Sequence, residues 1–316
     1  MKKIDSHFHI NLHKFDLETI IDYLDKNKLD KVWLLSWEEK KPPIKGLYKS
    51  LPVEELMDAY EKYPDRIVPF YAPDPGRDDI REIMTALKEK GLKGCGELKV
   101  TYNWGDKEMD SYLETVSALK LPLLFHMELP RHHYVKSSSG ILEKFVADVM
   151  NGALNGTLRY YFEGLFKVLP IIKGKLKRNM QYFPGYMYDF VELEKRIVQF
   201  PNINFIGHGP HFWNNISATL SKKYIHQKGN IKELGIIDTL LEKYDNFYCD
   251  ISGTSGYNAL TRNKNISKSF LEKHCDKILF GTDNTKFDFF ELMDSMNLSK
   301  ENQEKIYYKN AEKLIN

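Results

Sequence analysis

The feature that most constrains the fold is a regular alternation of short apolar runs with amphipathic segments. Segments whose apolar residues recur every three or four positions indicate helices, as in "DLETIIDYLDKNKLD", "PVEELMDAYEKYPD", "DDIREIMTALKEKG", "KEMDSYLETVSALK" and "IKELGIIDTLLEKYD". Between them lie eight runs that are typical of strands: "KIDSHFHI", "KVWLLSW", "RIVPFYA", "LKGCGELKV", "LPLLFHM", "INFIGHG", "NFYCDIS" and "KILFGTD". Alternating strands and crossover helices favour parallel pairing, and eight such units predict an α/β fold, a (β/α)8 TIM barrel. An open sheet with fewer strands is the alternative.

One interval is much longer than a crossover helix needs. Residues 127–202 separate the fifth and sixth predicted strands and contain a helical stretch, "GILEKFVADVMNGAL", and an aromatic cluster, "QYFPGYMYDF". A barrel of this kind takes about 250 residues, so about 65 of the 316 are left for insertions. We therefore predict a single domain over residues 1–316, in which residues 127–202 form a helical, lid-like insertion at the barrel mouth. The basic run "KGKLKR" within it is expected to be a solvated turn.

The charge balance and the cysteines indicate which binding partners and which cellular compartment to expect. The chain has 46 Lys and Arg against 44 Asp and Glu, a balance that indicates neither nucleic acid nor an acidic membrane surface as a partner. The three cysteines, Cys95, Cys249 and Cys275, are widely spaced without a CxxC pattern, which is typical of free thiols in a reducing compartment. No stretch resembles a signal peptide or a membrane span. The sequence thus predicts a cytoplasmic protein.

Polar residues end four of the predicted strands. In "DSHFHI", His7 and His9 are two residues apart, so both can point into the barrel near its mouth. The fifth strand ends in His126, the sixth in His208 and the eighth in Asp283. Each alone is compatible with a core histidine or a turn residue. Together they favour one metal site, since a metal ion offsets the desolvation of several such groups at once.

Three strands carry further polar residues. Alternation along the first strand places Asp5 on the face of the two histidines and Phe8 on the side of the surrounding helices. On the fourth strand, "GELKV" places Glu97 and Lys99 on one face. Asp250 ends the seventh strand and is either a residue that orients a histidine or an ordinary turn residue.

The motifs "DSHFHI", "GELKV", "FHMELP", "FIGHGPHFW" and "ILFGTDN" together resemble, in order and position, those of the metal-dependent amidohydrolase superfamily, in its amidohydrolase family 2 branch. The resemblance covers essentially the whole chain. It implies that His7, His9, His126 and Asp283 bind a divalent metal ion. It also implies that His208 binds a second metal ion or contacts the reacting group.

The fourth strand varies within the superfamily, where some members carry a glutamate or a carboxylated lysine that bridges two metal ions. Mononuclear members of family 2 often lack such a residue. Glu97 is acidic and suitably placed, so we expect it to be a ligand, with a mononuclear site that does without it as the alternative. Lys99 is expected to pair with a charge on the substrate, with a carboxylated bridging lysine as the alternative.

The chemistry expected of this site is hydrolysis. Imidazoles and a carboxylate that leave open positions describe a catalytic site, for which we expect one or two zinc ions, with manganese, iron and cobalt left open. Bound water then reaches a pKa of about 7 and forms hydroxide at neutral pH. Asp283 is the predicted general base and His208 the predicted partner of the developing oxyanion.

The substrate is expected to be a small molecule bound by Lys99, Arg131, His211 and Arg262. Basic and aromatic groups near the mouth suit a carboxylated or ring-bearing compound, and Arg262 in "YNALTRN" is included because that stretch resembles relatives in this branch. The leading prediction is a hydrolase of an amide, lactone or ester-like bond. The alternative is a non-oxidative decarboxylase of a small aromatic carboxylic acid; a nuclease and a non-catalytic metal-binding barrel are less favoured. The insertion suits a dimer interface as well as a lid, so a homodimer also stays open.

Overall fold

The computed structural model describes residues 1–44, 47–135, 141–151, 157–170, 172, 174, 179–220 and 225–315. Its strands are β1 (Ile4–Phe8), β2 (Lys31–Trp37), β3 (Ile67–Ala72), β4 (Cys95–Leu98), β5 (Leu123–His126), β6 (Arg131–Tyr134), β7 (Met180–Phe183), β8 (Phe205–His208), β9 (Phe247–Asp250) and β10 (Ile278–Leu279). All eight predicted strands are present, each within the run that predicted it.

The five predicted helices are also present and correspond to the first four and the ninth in chain order. The helices are α1 (Leu17–Asn27), α2 (Val53–Lys62), α3 (Ile80–Glu89), α4 (Glu108–Ala118), α5 (Ile141–Met150), α6 (Thr157–Val168), α7 (Phe190–Gln199), α8 (Pro210–Asn214), α9 (Ile236–Lys243), α10 (Gly253–Thr261), α11 (Lys264–Lys273), α12 (Phe289–Ser295), α13 (Lys300–Glu304) and α14 (Asn310–Ile315), with a π-helical turn, Lys305–Lys309, before the last. In the part of the chain that the structure describes, no helix has the length and apolar character needed to cross a bilayer.

The chain divides into two compact units. The first comprises Met1–Lys41, Lys49–Leu129 and Tyr186–Asn316, and the second comprises Pro42–Tyr48 and Pro130–Gly185. The longer part of the second unit lies inside the predicted insertion. Whether the chain acts as one domain and whether residues 127–202 act as a lid stay predictions.

The second unit combines helices with a small sheet that the sequence did not indicate. Strands β6 and β7 pair antiparallel, with Arg131 opposite Phe183. Side chains of α5 and α6 form a small core of their own around Val146, Val149 and Phe166. The run "KGKLKR", except for Gly174, lies outside the described residues.

The first unit contains the predicted barrel. Parallel pairing joins β1, β2 and β3 in one sheet and β4, β5, β8, β9 and β10 in another. Main-chain hydrogen bonds connect the two sheets at both edges, from Tyr71 N to Gly94 O (3.1 Å) and from Ser6 N to Phe280 O (2.8 Å). Because both edges are joined, the eight strands close into a (β/α)8 barrel.

Side-chain alternation along the strands divides the core into an interior and an outer layer. On β2, Trp33 and Leu35 belong to the interior cluster, where Trp33 stacks on Phe70 with ring centroids 4.4 Å apart. Val32 and Leu34 belong to the larger cluster shared with the helices. The interior layer draws on nearly every strand: Ile4, Trp33, Leu35, Val68, Phe70, Leu124, Ile206, Tyr248 and Leu279. The barrel is therefore filled below its mouth, as this fold requires.

The expectation that Asp5 shares the face of the two histidines is wrong. Asp5 pairs with Val32 and Phe8 pairs with Leu34, so β1 has one more residue than β2 over this stretch. This β-bulge shifts the alternation, and Asp5 lies on the same helix-facing side as Phe8. The Asp5 carboxylate accepts a hydrogen bond from the Tyr23 hydroxyl of α1 (2.8 Å), and the Tyr23 ring stacks on Phe8.

Candidate metal centre

The ends of the barrel strands bring the predicted ligands together in the first unit. Three overlapping sets of potential ligand atoms each lie within 4.8 Å of one another. These sets are His7 with His208 and Asp283, His7 with His9 and Glu97, and Glu97 with His126 and His208. Each of these residues lies at or just after the C-terminal end of a barrel strand. The C-terminal ends of parallel strands meet at one end of a barrel, so the residues come together there. We call these six residues the ligand cluster.

Asp250, at the end of β9, hydrogen-bonds two histidines of the cluster. Its Oδ2 lies 2.9 Å from His7 Nδ1 and its Oδ1 lies 3.0 Å from His208 Nδ1. Burial alone would raise the pKa of Asp250, but His208 and His7 hold it far below its usual range. An ionised carboxylate only accepts hydrogen bonds, so both rings carry their proton on Nδ1 when neutral. Both then present the lone pair of Nε2 to the cluster.

His9 is oriented in the same way by the main chain. Its Nδ1 donates to the carbonyl oxygen of Leu35 at 2.8 Å, which leaves Nε2 with its lone pair. The Nε2 atoms of His9 and His7 are 3.2 Å apart. Two facing lone pairs repel unless a cation or a proton lies between them, so this geometry fits a bound metal ion.

Glu97 lies at the centre of the cluster. Its Oε1 is 2.7 Å from His126 Nδ1 and 4.0 Å from His7 Nε2, while its Oε2 is 3.5 Å from His9 Nε2. Although burial raises the pKa of Glu97, the Lys99 ammonium and the imidazoles outweigh it and hold the pKa well below the usual range. An ionised carboxylate with each oxygen facing different imidazoles could bridge two ions.

His126 faces the cluster through the opposite ring nitrogen. Its Nδ1 points to Glu97, and its Nε2 lies 3.4 Å from Glu128 Oε2. Because Glu97 is ionised, the Nδ1 of a neutral His126 carries the proton of that hydrogen bond, and Nδ1 becomes a ligand atom only when a metal ion displaces this proton. His7, His9 and His208 therefore offer an Nε2 lone pair when neutral, whereas His126 offers one only after it loses its Nδ1 proton.

Asp283 completes the cluster from the turn after β10. Its backbone has a φ of 54°, in the left-handed region that few non-glycine residues adopt, and its N–H donates to His7 O at 2.8 Å. Its Oδ1 lies 3.4 Å from His9 Nε2. Gly253 leaves room for it, because a Cβ there would lie 2.9 Å from Asp283 Oδ2.

The charges of the site also fit a divalent cation. Three carboxylates, those of Glu97, Asp250 and Asp283, converge on imidazoles that are neutral in their ordinary state. Burial alone would lower the pKa of His208, but these carboxylates, led by Asp250, raise it to about 9. A site that draws a proton this strongly has excess negative charge, which a divalent cation would balance.

Of the predicted substrate-binding residues, Lys99 adjoins the ligand cluster. Its Nζ lies 3.7 Å from Glu97 Oε2 and 5.1 Å from the centroid of the Trp37 ring. This ammonium is buried, with 9% of the residue exposed. Lys99 is therefore in a position to meet a charged group of a bound substrate.

The other three predicted substrate-binding residues have contacts of a different kind. His211 lies on α8, 5.6 Å from the Phe190 ring, and burial lowers its pKa to about 4. Arg262 follows α10 and donates from Nε to Gly229 O at 2.9 Å. Arg131 belongs to the second unit, where its guanidinium lies 4.7 Å from the Phe183 ring. Substrate binding by these residues stays a prediction.

Sequence reasoning missed several residues around the cluster. Asn284 follows Asp283 and holds both main-chain groups of His9, accepting from its N–H and donating to its C=O, each at 2.8 Å. Glu128 faces His126, and Trp37 contacts His9 with ring centroids 5.2 Å apart. The sequence contained a signal for Asn284, which belongs to the "GTDN" motif. It contained none for Trp37, which is indistinguishable in the sequence from an ordinary apolar strand residue.

Comparison with protein families identifies a match over most of the chain: the amidohydrolase family model matches residues 53–316. Comparison with curated proteins finds no match.

Solved structures share the fold over nearly the full length. A probable 2-pyrone-4,6-dicarboxylic acid hydrolase from Acinetobacter baumannii, with citric acid bound, has a TM-score of 0.52 at 13% identity and covers 100% of this chain and 99% of that chain. A 5-carboxyvanillate decarboxylase from Novosphingobium aromaticivorans, with bound manganese and 3-methoxy-4-hydroxy-5-nitrobenzoic acid, has a TM-score of 0.55 at 15% identity, covering 99% and 96%. An uncharacterized TIM-barrel protein from Bordetella bronchiseptica has a TM-score of 0.58 at 11% identity, covering 99% and 98%. At such identities the likeness shows the fold alone.

Proposed function

The chain belongs to the amidohydrolase family, and from that premise we propose that it is a metal-dependent hydrolase of an amide, lactone or ester-like bond in a small molecule. The observation that carries the proposal is the convergence of four imidazole rings and two carboxylates at the barrel mouth. The proposed ligands are His7, His9, Glu97, His126, His208 and Asp283. Zinc is the first candidate for this donor set, and manganese is the second because the decarboxylase of the same fold holds it.

Two residues of the cluster have proposed roles in moving protons. A bound divalent cation lowers the pKa of coordinated water to about 7. Asp283, whose Oδ1 faces His9 and His7, accepts the proton of the attacking water and delivers it to the leaving group. His208, held by Asp250, either is a ligand of a second ion or, as an imidazolium, donates a hydrogen bond from Nε2 to the developing oxyanion.

A non-oxidative decarboxylase is the second candidate. It is favoured by the Lys99 ammonium beside Glu97, which suits a substrate carboxylate near the metal ligands. The fold shared with a 5-carboxyvanillate decarboxylase is compatible with this chemistry. Turnover of an acid with release of CO₂, rather than consumption of water, would select the decarboxylase.

We also propose a cytoplasmic, small-molecule enzyme without nucleic-acid or membrane partners, and a homodimer as its assembly. The near balance of 46 basic and 44 acidic residues supports the absence of nucleic-acid partners. Three buried free thiols, those of Cys95, Cys249 and Cys275, support a reducing compartment.

The first test is the metal content of the purified protein, together with a panel of lactones, amides and aromatic carboxylates. We expect one or two zinc or manganese ions per chain, and His7→Ala is expected to lower both metal content and turnover by at least about tenfold, because it removes a ligand of two overlapping sets. The control is His13→Asn, which changes an exposed histidine whose left-handed backbone asparagine tolerates. Full activity in His7→Ala, or a wild-type protein that binds no metal and is unaffected by adding it, would refute the proposal.

A further inference from the structure

Three side chains beside the ligand cluster carry polar groups that the proposed reaction does not use. Trp37 ends β2, Glu39 follows two residues later, and Lys99 follows β4. The Trp37 ring lies 5.2 Å from the His9 ring and 5.1 Å from Lys99 Nζ. Lys99 Nζ is in turn 3.7 Å from Glu97 Oε2. Glu39 is connected through Tyr186, whose hydroxyl bonds it and whose ring centroid lies 6.0 Å from that of His126. This group of three, which we call the β2 subsite, therefore adjoins the metal ligands in the first unit.

Two buried atoms of the β2 subsite lack a hydrogen-bond partner among the residues that the structure describes. They are the indole Nε1 of Trp37 and the carboxyl Oε1 of Glu39, in residues that are only 3% and 8% exposed. The second oxygen of Glu39, Oε2, accepts a hydrogen bond from the Tyr186 hydroxyl at 3.1 Å. Buried polar atoms in native proteins nearly always have partners, so two such atoms beside a candidate active site are available to hydrogen-bond a bound ligand.

We propose that Trp37, Glu39 and Lys99 bind a carboxylate group of the substrate that is separate from the group that reacts at the metal ligands. The Lys99 ammonium supplies the opposite charge, and the Trp37 indole supplies a neutral N–H donor. The inference rests on the proposed function, because it assigns a substrate class to the same active site. That class is the small molecules with at least one free carboxylate besides the scissile or reacting group.

Glu39 suits this role because of its environment. Burial raises its pKa to about 8, an effect that Asp74 strengthens and that the Tyr186 hydrogen bond and Lys99 oppose. At neutral pH the side chain is therefore a neutral acid that donates a hydrogen bond, rather than an anion that would repel a carboxylate. An amide at this position would also donate, whereas a methyl group would not.

The test uses zinc-loaded protein and two probes, isophthalate and its monoamide 3-carbamoylbenzoate, with affinities measured by calorimetry. The two probes share a ring and one carboxylate, so their difference isolates the second carboxylate. We expect the wild type to favour isophthalate by about tenfold, the effect of one charge-assisted hydrogen bond. Lys99→Met and Glu39→Ala are expected to abolish that preference, and Glu39→Gln is expected to retain it. The control is Lys93→Met, which removes an exposed lysine after α3.

Trp37→Phe keeps the ring and removes only the N–H, so it tests the subsite even if a change at Lys99 disturbs Glu97 or the fold. It is expected to weaken the preference for isophthalate with zinc content unchanged. The inference is overturned if the wild type shows no preference, or if Trp37→Phe and Glu39→Ala both keep it. Because binding is measured without turnover, loss of hydrolysis with the preference intact would refute the proposed function and not the subsite.

Discussion

Asp250 shows how one side chain prepares two others for metal binding. Each of its oxygens accepts a hydrogen bond from a different histidine, His7 or His208. Ser252 donates to the same carboxylate from its main-chain N–H at 2.9 Å and from its hydroxyl. The carboxylate is thus fixed from both sides, and it fixes the tautomer and the orientation of two rings.

Replacing Asp250 with alanine is expected to weaken zinc affinity by about 10–100-fold, because His7 and His208 lose the acceptor that keeps their Nε2 lone pairs toward the cluster. Competition with a chromophoric chelator measures the change. Asp238→Ala is the matched control, since Asp238 accepts from His274 at 2.7 Å in a partly buried pair between the surrounding helices α9 and α11. Zinc affinity equal to that of the wild type in Asp250→Ala would rule out this orienting role.

At the scale of elements, the turn after β10 attaches the last strand of the barrel to the first. Asp5 accepts from the Thr282 N–H at 3.0 Å, and Asp283 N–H donates to His7 O. The Asn284 side chain hydrogen-bonds both main-chain groups of His9, as a neighbouring strand would do. The same contacts close the barrel. They also place His7 and His9, from the start of the chain, beside Asp283, from near its end.

Asn284→Ala tests this closure. It leaves the buried N–H and C=O of His9 without partners, at a cost of about 1–3 kcal/mol each, so we expect the unfolding free energy to fall by about 2–6 kcal/mol. Asn297→Ala controls for the left-handed backbone, because Asn297 has a φ of 49° against 51° for Asn284 but is exposed. Denaturant unfolding compares the two. An equal loss of stability in both variants would mean that the side-chain hydrogen bonds do not hold the turn.

The β1 bulge marks the limit of pattern reasoning for an element. Alternation correctly placed His7, His9 and Phe8, because these residues lie on one side of the extra residue. It misplaced Asp5, which lies on the other side of the register shift. A bulge depends on pairing with β2, so the residues of β1 alone do not predict it. The antiparallel β6 and β7 pair was missed for the same reason: it depends on contacts between distant segments.

At the scale of the whole molecule, the barrel could be predicted because its signal is local and repeated eight times. The ligand cluster could be predicted because its residues end strands that meet at one face. The β2 subsite could not be predicted in the same way, since Trp37 and Glu39 belong to no motif and their polar atoms gain meaning only from burial in the folded chain. Such a site is recognised from the burial and contacts of its residues in the folded chain, not from their spacing in the sequence.

Stability of the folded molecule should carry a pH signature of Glu39. Burial raises its pKa from 4.5 to about 8. Asp74 adds to this rise, whereas Tyr186 and Lys99 oppose it. Between these values the unfolded chain has lost this proton and the folded chain keeps it, so folding takes up a proton and the unfolding free energy falls as pH rises.

Glu39→Gln removes that proton uptake while keeping the size of the side chain. For zinc-loaded protein unfolded with urea between pH 5.5 and 7.5, we expect stability to fall less steeply with pH than in the wild type, by up to one bound proton. Glu89→Gln, at an exposed position, should leave the slope unchanged. Identical slopes for the wild type and Glu39→Gln would mean that Glu39 is already ionised in the folded molecule. The Glu39 carboxylate would then accept hydrogen bonds from a substrate rather than donate one to the substrate.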